Sequence, residues 1–255
     1  MAGSIAKTAL VTGAAKRLGR AIALDLAAHG FAIAVHANTS VDEARTLAAD
    51  IRMRGGKAHA FQADLRDIAQ TSALIGEVHE MLGPVSLLVN NASVFEDDTA
   101  ETFNPETFSA HFDIHVRAPS ILAAALVGQL PQDGGGLIVN IIDQRVWALT
   151  PRFYSYTLSK SALWTATRTL AQGLAPRIRV NAIGPGPTFR SDRQTDADFQ
   201  AQLDGLLLNH GPALAEFGRT IRFLFDTPSI TGQMIALDGG QHLTWRTSGE
   251  TEIVE

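Results

Sequence analysis

No cysteine occurs among the 255 residues, so disulfides and thiol catalysis are excluded. No apolar run reaches the length needed to span a bilayer. The first strand-like run begins by about residue 7, which leaves no room for a secretory h-region, and a cytoplasmic protein is expected. Neither sign of charge dominates. The net charge of −5 gives no electrostatic footprint for nucleic acid or an anionic membrane surface. Internal repeats and low-complexity segments are also missing. With 45% hydrophobic and 18% charged residues, what remains is an ordinary globular chain long enough to bury one full core.

Short apolar runs and helical stretches alternate along the chain. Strands are expected near 7–12, 31–36, 57–61, 85–90, 137–142, 177–183 and 233–237. Amphipathic helices are expected near 18–29, 40–54, 67–82, 105–129, 155–174 and 213–226. This alternation predicts a single-domain α/β fold, a doubly wound, Rossmann-type parallel sheet of about seven strands with helices on both faces. The polar stretch 184–210, with Pro185 and Pro187, reads as one long irregular loop, and such a loop inside an α/β domain is expected to be a substrate lid. The tail 244–255 reads either as disordered or as packed on a neighbouring subunit.

The apolar run Ala6 to Val11 leads directly into Thr12-Gly13-Ala14-Ala15-Lys16-Arg17-Leu18-Gly19, and a helical pattern follows. Strand, glycine turn and helix form the layout in which backbone N–H groups cradle a pyrophosphate. The run Phe31 to Val35 completes a βαβ unit. Plain turns also use glycine, so the context rather than the glycines carries the dinucleotide reading. A carboxylate after the second strand would hold a ribose 2′-hydroxyl and select NAD. Here His36, Ala37, Asn38, Thr39 and Ser40 follow, with no acid before Asp42. Those uncharged donors, with Lys16 and Arg17 in the loop, favour the 2′-phosphate of NADPH.

Tyr156 and Lys160 stand at i and i+4 on an expected helix, and Asp143 lies thirteen residues before the tyrosine at the end of an apolar run. An ammonium beside a phenol lowers the phenol's pKa and suits it to proton transfer in a redox step. Such a pair is also common on helix surfaces. Asp143 admits a plain reading too, as a strand-end carboxylate capping the next turn.

Together these motifs resemble the short-chain dehydrogenase/reductase family over nearly the whole length. They comprise the Thr12 to Gly19 loop, Asp64-Leu65, Asn90-Asn91-Ala92, Tyr156 with Lys160, Pro185-Gly186 and Asp238-Gly239-Gly240. The resemblance implies that Asp64 and Leu65 lie near the adenine, and Asn91, Ala92 and Ser93 along the ribose and nicotinamide path. It adds Pro185, Gly186 and Thr188 to the cofactor contacts that begin with Gly13, Lys16, Arg17, Leu18 and Gly19, His36, Asn38 and Ser40. Lys160 would hold the nicotinamide ribose while assisting Tyr156.

Departures from the usual pattern narrow the resemblance. Most members carry glycine where Arg17 stands, serine where Asp143 stands and asparagine where His115 stands. Arg17, Asp143 and Asn91-Ala92-Ser93-Val94-Phe95 are similar to the pteridine reductase branch, and His115 to its bacterial dihydromonapterin reductases. Thr39 departs from that branch, whose trypanosomatid members carry an arginine there. The branch implies an NADPH-dependent reductase of a pterin or folate, with Phe95 stacking the substrate and Arg17 and Ser93 beside it. Tyr156 would donate the proton, Asp143 would orient substrate and relay protons, and His115 would enter the catalytic hydrogen-bond network. Phe95 could instead be an apolar loop residue, and His115 a satisfied core histidine. Arg145 and Trp147 read either as pocket-lining or as rim residues. His111, Asp113 and His115 do not read as a metal site, because helical spacing turns Asp113 away. The family's usual homotetramer is expected. The competing readings are a reductase of another carbonyl or imine, and a non-catalytic NADP-binding regulator.

Overall fold

A computed structural model describes residues 7–131, 134–190 and 194–244. Seven parallel strands form one sheet in the order β3-β2-β1-β4-β5-β6-β7. These are β1 (Thr8–Val11), β2 (Ala32–Ala37), β3 (Ala58–Gln62), β4 (Leu87–Asn90), β5 (Gly136–Ile141), β6 (Ile178–Pro185) and β7 (Met234–Leu237). Between them run α1 (Arg17–Ala28), α2 (Val41–Met53), α3 (Ile68–Leu82), α4 (Pro105–Phe112), α5 (Ala118–Gln129), α6 (Tyr154–Leu174), α7 (Asp196–Asp204) and α8 (Leu214–Asp226). The expected doubly wound fold is present. Strand order reverses between β1 and β4, the kind of place where such sheets open a crevice beyond their carboxyl ends.

Alternation along the strands divides the core. Ala9 and Val11 of β1, with Ile33 and Val35 of β2, face a layer that holds Ile22, Leu26, Leu47, Ile51, Phe217 and Ile221 of α1, α2 and α8. Leu10 and Ala34 point the other way, toward Leu74, Val78, Leu122, Leu126 and Ala171 of α3, α5 and α6. The strands are buried on both faces, so their sequences read as continuous apolar runs.

Two expectations are corrected. The helix expected over 105–129 is three pieces: α4, a π-helical turn Asp113–Arg117, and α5. Pro119 has no N–H for the His115 carbonyl, so an unbroken α ladder cannot pass this point. The stretch 184–210 is not irregular throughout. β6 continues to Pro185, and α7 begins at a capping box in which Thr195 Oγ1 accepts from Asp198 N while the Asp198 carboxylate accepts from Thr195 N. The expectation for the tail, from residue 245 onward, lies outside the described residues.

One side chain ties β6 to the far edge of the sheet. The Arg179 guanidinium donates to four carbonyls, of Leu224 (2.7 Å), Phe225 (2.9 Å), Thr227 (3.1 Å) and Ile230 (3.0 Å). It thereby covers carbonyls left open at the C-terminus of α8 and neutralises that end of the helix dipole. Replacing Arg179 by Ala is expected to lower unfolding stability by about 2–4 kcal/mol, because four partly buried acceptors lose their donor. Urea unfolding with an unchanged m-value checks this.

Candidate active site

The carboxyl ends of β1, β2, β4, β5 and β6 surround one cleft of about 710 Å³. Its floor is the turn after β1. Gly13 adopts φ +62°, a left-handed conformation that suits glycine. Asn91 Nδ2 donates to the carbonyls of Thr12 (2.9 Å) and Gly13 (3.1 Å), and Thr12 Oγ1 accepts from the N–H groups of Asn91 (2.9 Å) and Ala92 (3.0 Å). The ends of β1 and β4 are thus laced together. A Cβ on Gly19 would strike the Gly13 carbonyl and approach Asn91 Nδ2 to 2.6 Å. No side chain caps the first turn of α1, so its N–H groups face the cleft without a side-chain partner. A glycine cradle below open helix N–H groups fits a pyrophosphate.

His36 serves this loop from beneath. Its Nδ1 accepts from Gly13 N at 3.1 Å and its Nε2 faces the Ala63 carbonyl at 3.1 Å, so both ring nitrogens are committed. Burial lowers its pKa to about 4, and the ring stays neutral. Asn38, Thr39 and Ser40 line the outer cleft with Lys16, whose ammonium pairs with Glu43 at 2.8 Å. Leu65 and Ala92 line it too, whereas Asp64 turns to Arg66 at 3.3 Å. Arg17 holds φ +48°, a left-handed conformation at the position where the resembled family carries glycine, and stacks its guanidinium over Phe189 at 4.9 Å.

At the inner end, β5 delivers Asp143 and α6 delivers Tyr156 and Lys160. Tyr156 Oη donates to Asp143 Oδ2 at 2.9 Å, and Lys160 Nζ donates to the Ile141 carbonyl at 2.9 Å. Asp143 also accepts from Arg145 N at 2.9 Å, so it caps the following turn and meets the phenol at once. Burial raises the Asp143 carboxyl above its ordinary range, against the pull of the Arg145 backbone bond. Burial also lowers Lys160 to about 8. Tyr156 departs from the sequence-based expectation. Burial, followed by the Asp143 charge and hydrogen bond, pushes the phenol well above its ordinary value. Desolvation outweighs the opposing Arg145 charge, and the phenol keeps its proton.

The loop after β4 meets α6 through His115, in the π turn. His115 Nε2 lies 2.8 Å from Ser93 Oγ, and Nδ1 lies 2.8 Å from Ser159 Oγ. Burial, then Lys160 and His111, hold its pKa well below the usual imidazole range. His115 therefore sits under the cleft rather than in its wall. Among the described residues, no group of three or more metal-ligating side chains gathers. His111 bonds to backbone, and Asp113 pairs with Arg117 at 2.6 Å.

A second cavity of about 670 Å³ opens over Asp143 and is lined by Arg17, Phe95, Arg145, Phe153, Thr188 and Phe189, among others. Phe95 lies face to face with Phe153 at 4.4 Å and meets Tyr156 edge-on at 4.7 Å. Arg145 lies over Phe153 at 4.7 Å, whereas Trp147 stands outside, packed against Trp164 and His242. Phe153, Phe189, Gln202 and Arg152 line the cavity although the sequence reading singled out none of them. Only the Thr195 to Asp198 capping box announced the helix that brings Gln202 there.

Among the described residues, no helix is long and apolar enough to cross a membrane. The profile of the family described as short chain dehydrogenase matches residues 7–200. A 3-oxoacyl-[acyl-carrier-protein] reductase FabG of Staphylococcus aureus is 31% identical over 93% of this chain and 98% of its own length. A solved Brucella suis protein, described as FolM alternative dihydrofolate reductase 1 in complex with NADP, is 53% identical and superposes with a TM-score of 0.93. The match covers 97% of this chain and 99% of that one. Its Brucella canis counterpart, also complexed with NADP, is 52% identical with the same TM-score, over 98% and 99%.

Replacing Gly19 by Ala forces the loop carbonyl and Asn91 apart. The variant is expected to lose dinucleotide affinity by more than about tenfold, the equivalent of one or two lost hydrogen bonds. Titration calorimetry reads the loss, and the variant should also melt at a lower temperature.

Proposed function

Because this chain belongs to the short-chain dehydrogenase family, we propose that it is an NADPH-dependent reductase that converts a dihydropterin or dihydrofolate to the tetrahydro form. One observation carries this reading: the Tyr156 hydroxyl donates to the Asp143 carboxylate at 2.9 Å beneath the aromatic wall of Phe95. The Brucella neighbours, described as dihydrofolate reductases and solved with NADP, support it.

The N–H groups opening α1, with Gly13, Leu18 and Gly19, would hold the pyrophosphate. Asn38, Thr39, Ser40 and Lys16 would meet the 2′-phosphate, since the ring nitrogens of His36 are already engaged. Lys160, Asn91, Ala92, Pro185 and Gly186 would flank the nicotinamide riboside, and Leu65 the adenine. When bound, the dinucleotide supplies a hydride to the substrate ring carbon. The remaining work falls to the protein. Phe95 would stack a flat heterocycle against the nicotinamide, with Arg17 and Ser93 beside it. Asp143 accepts hydrogen bonds from the ring N–H and amino donors, which a lone hydroxyl does less well. Tyr156, kept protonated by burial, gives its proton to the ring nitrogen as the C=N bond is reduced. The Lys160 ammonium steadies the phenolate left behind, and the proton returns through Asp143 from the cavity. His115, neutral, joins Ser93 to Ser159 and holds the substrate loop against α6. The segment carrying α7 acts as lid.

The FabG relatives favour a second reading, reduction of a ketone, in which Asp143 serves another substrate. A cytoplasmic homotetramer is part of the proposal. Exposed Phe103, Tyr154 and Leu158, near or on α4 and α6, support an assembly through those helices, and light scattering tests it.

Purified protein with NADPH should turn over dihydromonapterin, dihydrobiopterin or dihydrofolate, followed by NADPH absorbance. Turnover of ketones and of none of these would overturn the reading. Asp143→Ser should lower kcat for the pterin by about 100-fold, and Tyr156→Phe by at least as much. The alkaline limb of kcat/KM should lie near pH 8, where free-enzyme Lys160 loses its charge. Stability moves oppositely. Between about 8 and its ordinary 10.5, the folded protein holds fewer protons at Lys160 than the unfolded chain, so this residue's contribution rises with pH.

A further inference from the structure

The segment from Asn91 to Thr99 carries Ser93 and Phe95 but forms no regular element, so side chains must set its shape. Two histidines do so. His111 in the last turn of α4 and His115 in the π turn lie four residues apart, with ring centroids 5.6 Å from each other. Each presents Nε2 to a backbone N–H of the segment: Val94 N donates to His115 at 3.3 Å, and Glu96 N donates to His111 at 3.3 Å.

The opposite nitrogens settle the tautomers. His111 Nδ1 faces the Thr107 carbonyl at 2.8 Å, which only accepts, so the proton sits on Nδ1 and Nε2 accepts. Val94 N–H only donates, so His115 Nε2 accepts as well. His115 Nδ1–H then donates to Ser159 Oγ at 2.8 Å, and that hydroxyl donates to the Tyr156 carbonyl at 2.7 Å. Burial lowers both imidazole pKa values and keeps the rings neutral. For His111, the Thr107 bond, Asp98 and Glu96 oppose this, and Lys160 adds to it. Phe95 stands between the two anchored amides, with its ring on Phe153 and Tyr156.

We propose that His111 is a positioning residue: with His115 it clamps the N–H groups of Val94 and Glu96 and so aims Phe95 into the cavity over Asp143 and Tyr156. His111 lines neither cavity and is fully buried, so its effect reaches substrate only through the loop. The kinetic arm of the test rests on the pteridine reading, and the exchange arm does not.

His111→Phe keeps the ring's bulk and removes the acceptor, whereas His111→Gln returns an acceptor at the same reach. In His111→Phe the KM for a dihydropterin should rise about tenfold, with kcat within about threefold, because one loop hydrogen bond is lost away from the reacting atoms. The Kd for NADPH should stay unchanged, and His111→Gln should recover most of the loss. Amide hydrogen exchange across residues 93–97 should quicken about tenfold in His111→Phe and slow again in His111→Gln. Unchanged exchange in a folded His111→Phe variant, or failure of His111→Gln to restore it, overturns the clamp. If His111→Phe does not fold, ¹⁵N spectra of the wild-type imidazoles decide: a proton on Nδ1 of His111 supports the clamp, and a proton on Nε2 overturns it. A wild type without pterin turnover, but with the exchange response intact, defeats the proposed substrate and upholds the clamp.

Discussion

A phenol hydrogen-bonded to a carboxylate, both drawn out of water, sets the terms for the rest of this site. Tyr156 and Asp143 come from different elements, α6 and the turn after β5, and they meet at 2.9 Å where α6 docks on the end of that strand. Lys160 approaches from the next turn of α6 and spends a hydrogen bond on the Ile141 carbonyl, at the end of β5. Burial acts on all three groups in the direction that favours their neutral forms. The tyrosine therefore keeps its proton and the lysine's hold on its own weakens. Such a site is poised to donate a proton.

The surrounding parts hold that arrangement in place. Asn91 and Thr12 lace the ends of β4 and β1, while His36 braces the glycine loop from below. Arg17 departs from glycine and pays with a left-handed backbone. In return its guanidinium reaches Phe189 across the mouth of the cavity. On the other side Asp98, itself buried, accepts from Ser155 N at 2.9 Å and from the Ser155 hydroxyl. The first turn of α6 is thus anchored directly beside Tyr156. Neutral, committed histidines recur in this scaffold, and each acts by accepting a backbone N–H, which a protonated ring cannot do.

Much of the architecture was legible because the periods were clean. Strands buried on both faces leave unbroken apolar runs, and amphipathic helices between them leave spacings of three and four, so all seven strands were placed within a few residues. The spacing of Asp143, Tyr156 and Lys160 was legible as well. The π turn was hidden, since Pro119 early in a helix is compatible with an ordinary first turn. The helix at Asp196–Asp204 was masked by nearby prolines and by a polar composition that buries nothing, although its capping box was written in the chain.

Local sequence determined the fold class, the glycine loop and the pairing of Tyr156 with Lys160, because each depends on residues within a few positions of one another. Tertiary structure alone decided that His36 and His111 would be braces, that Asp64 would turn away to Arg66, and that Phe153 and Phe189 would face Phe95 and Arg17. It also decided the sign of the Tyr156 shift. A lysine four residues away is a local fact, but desolvation depends on how much of the whole molecule closes over the phenol.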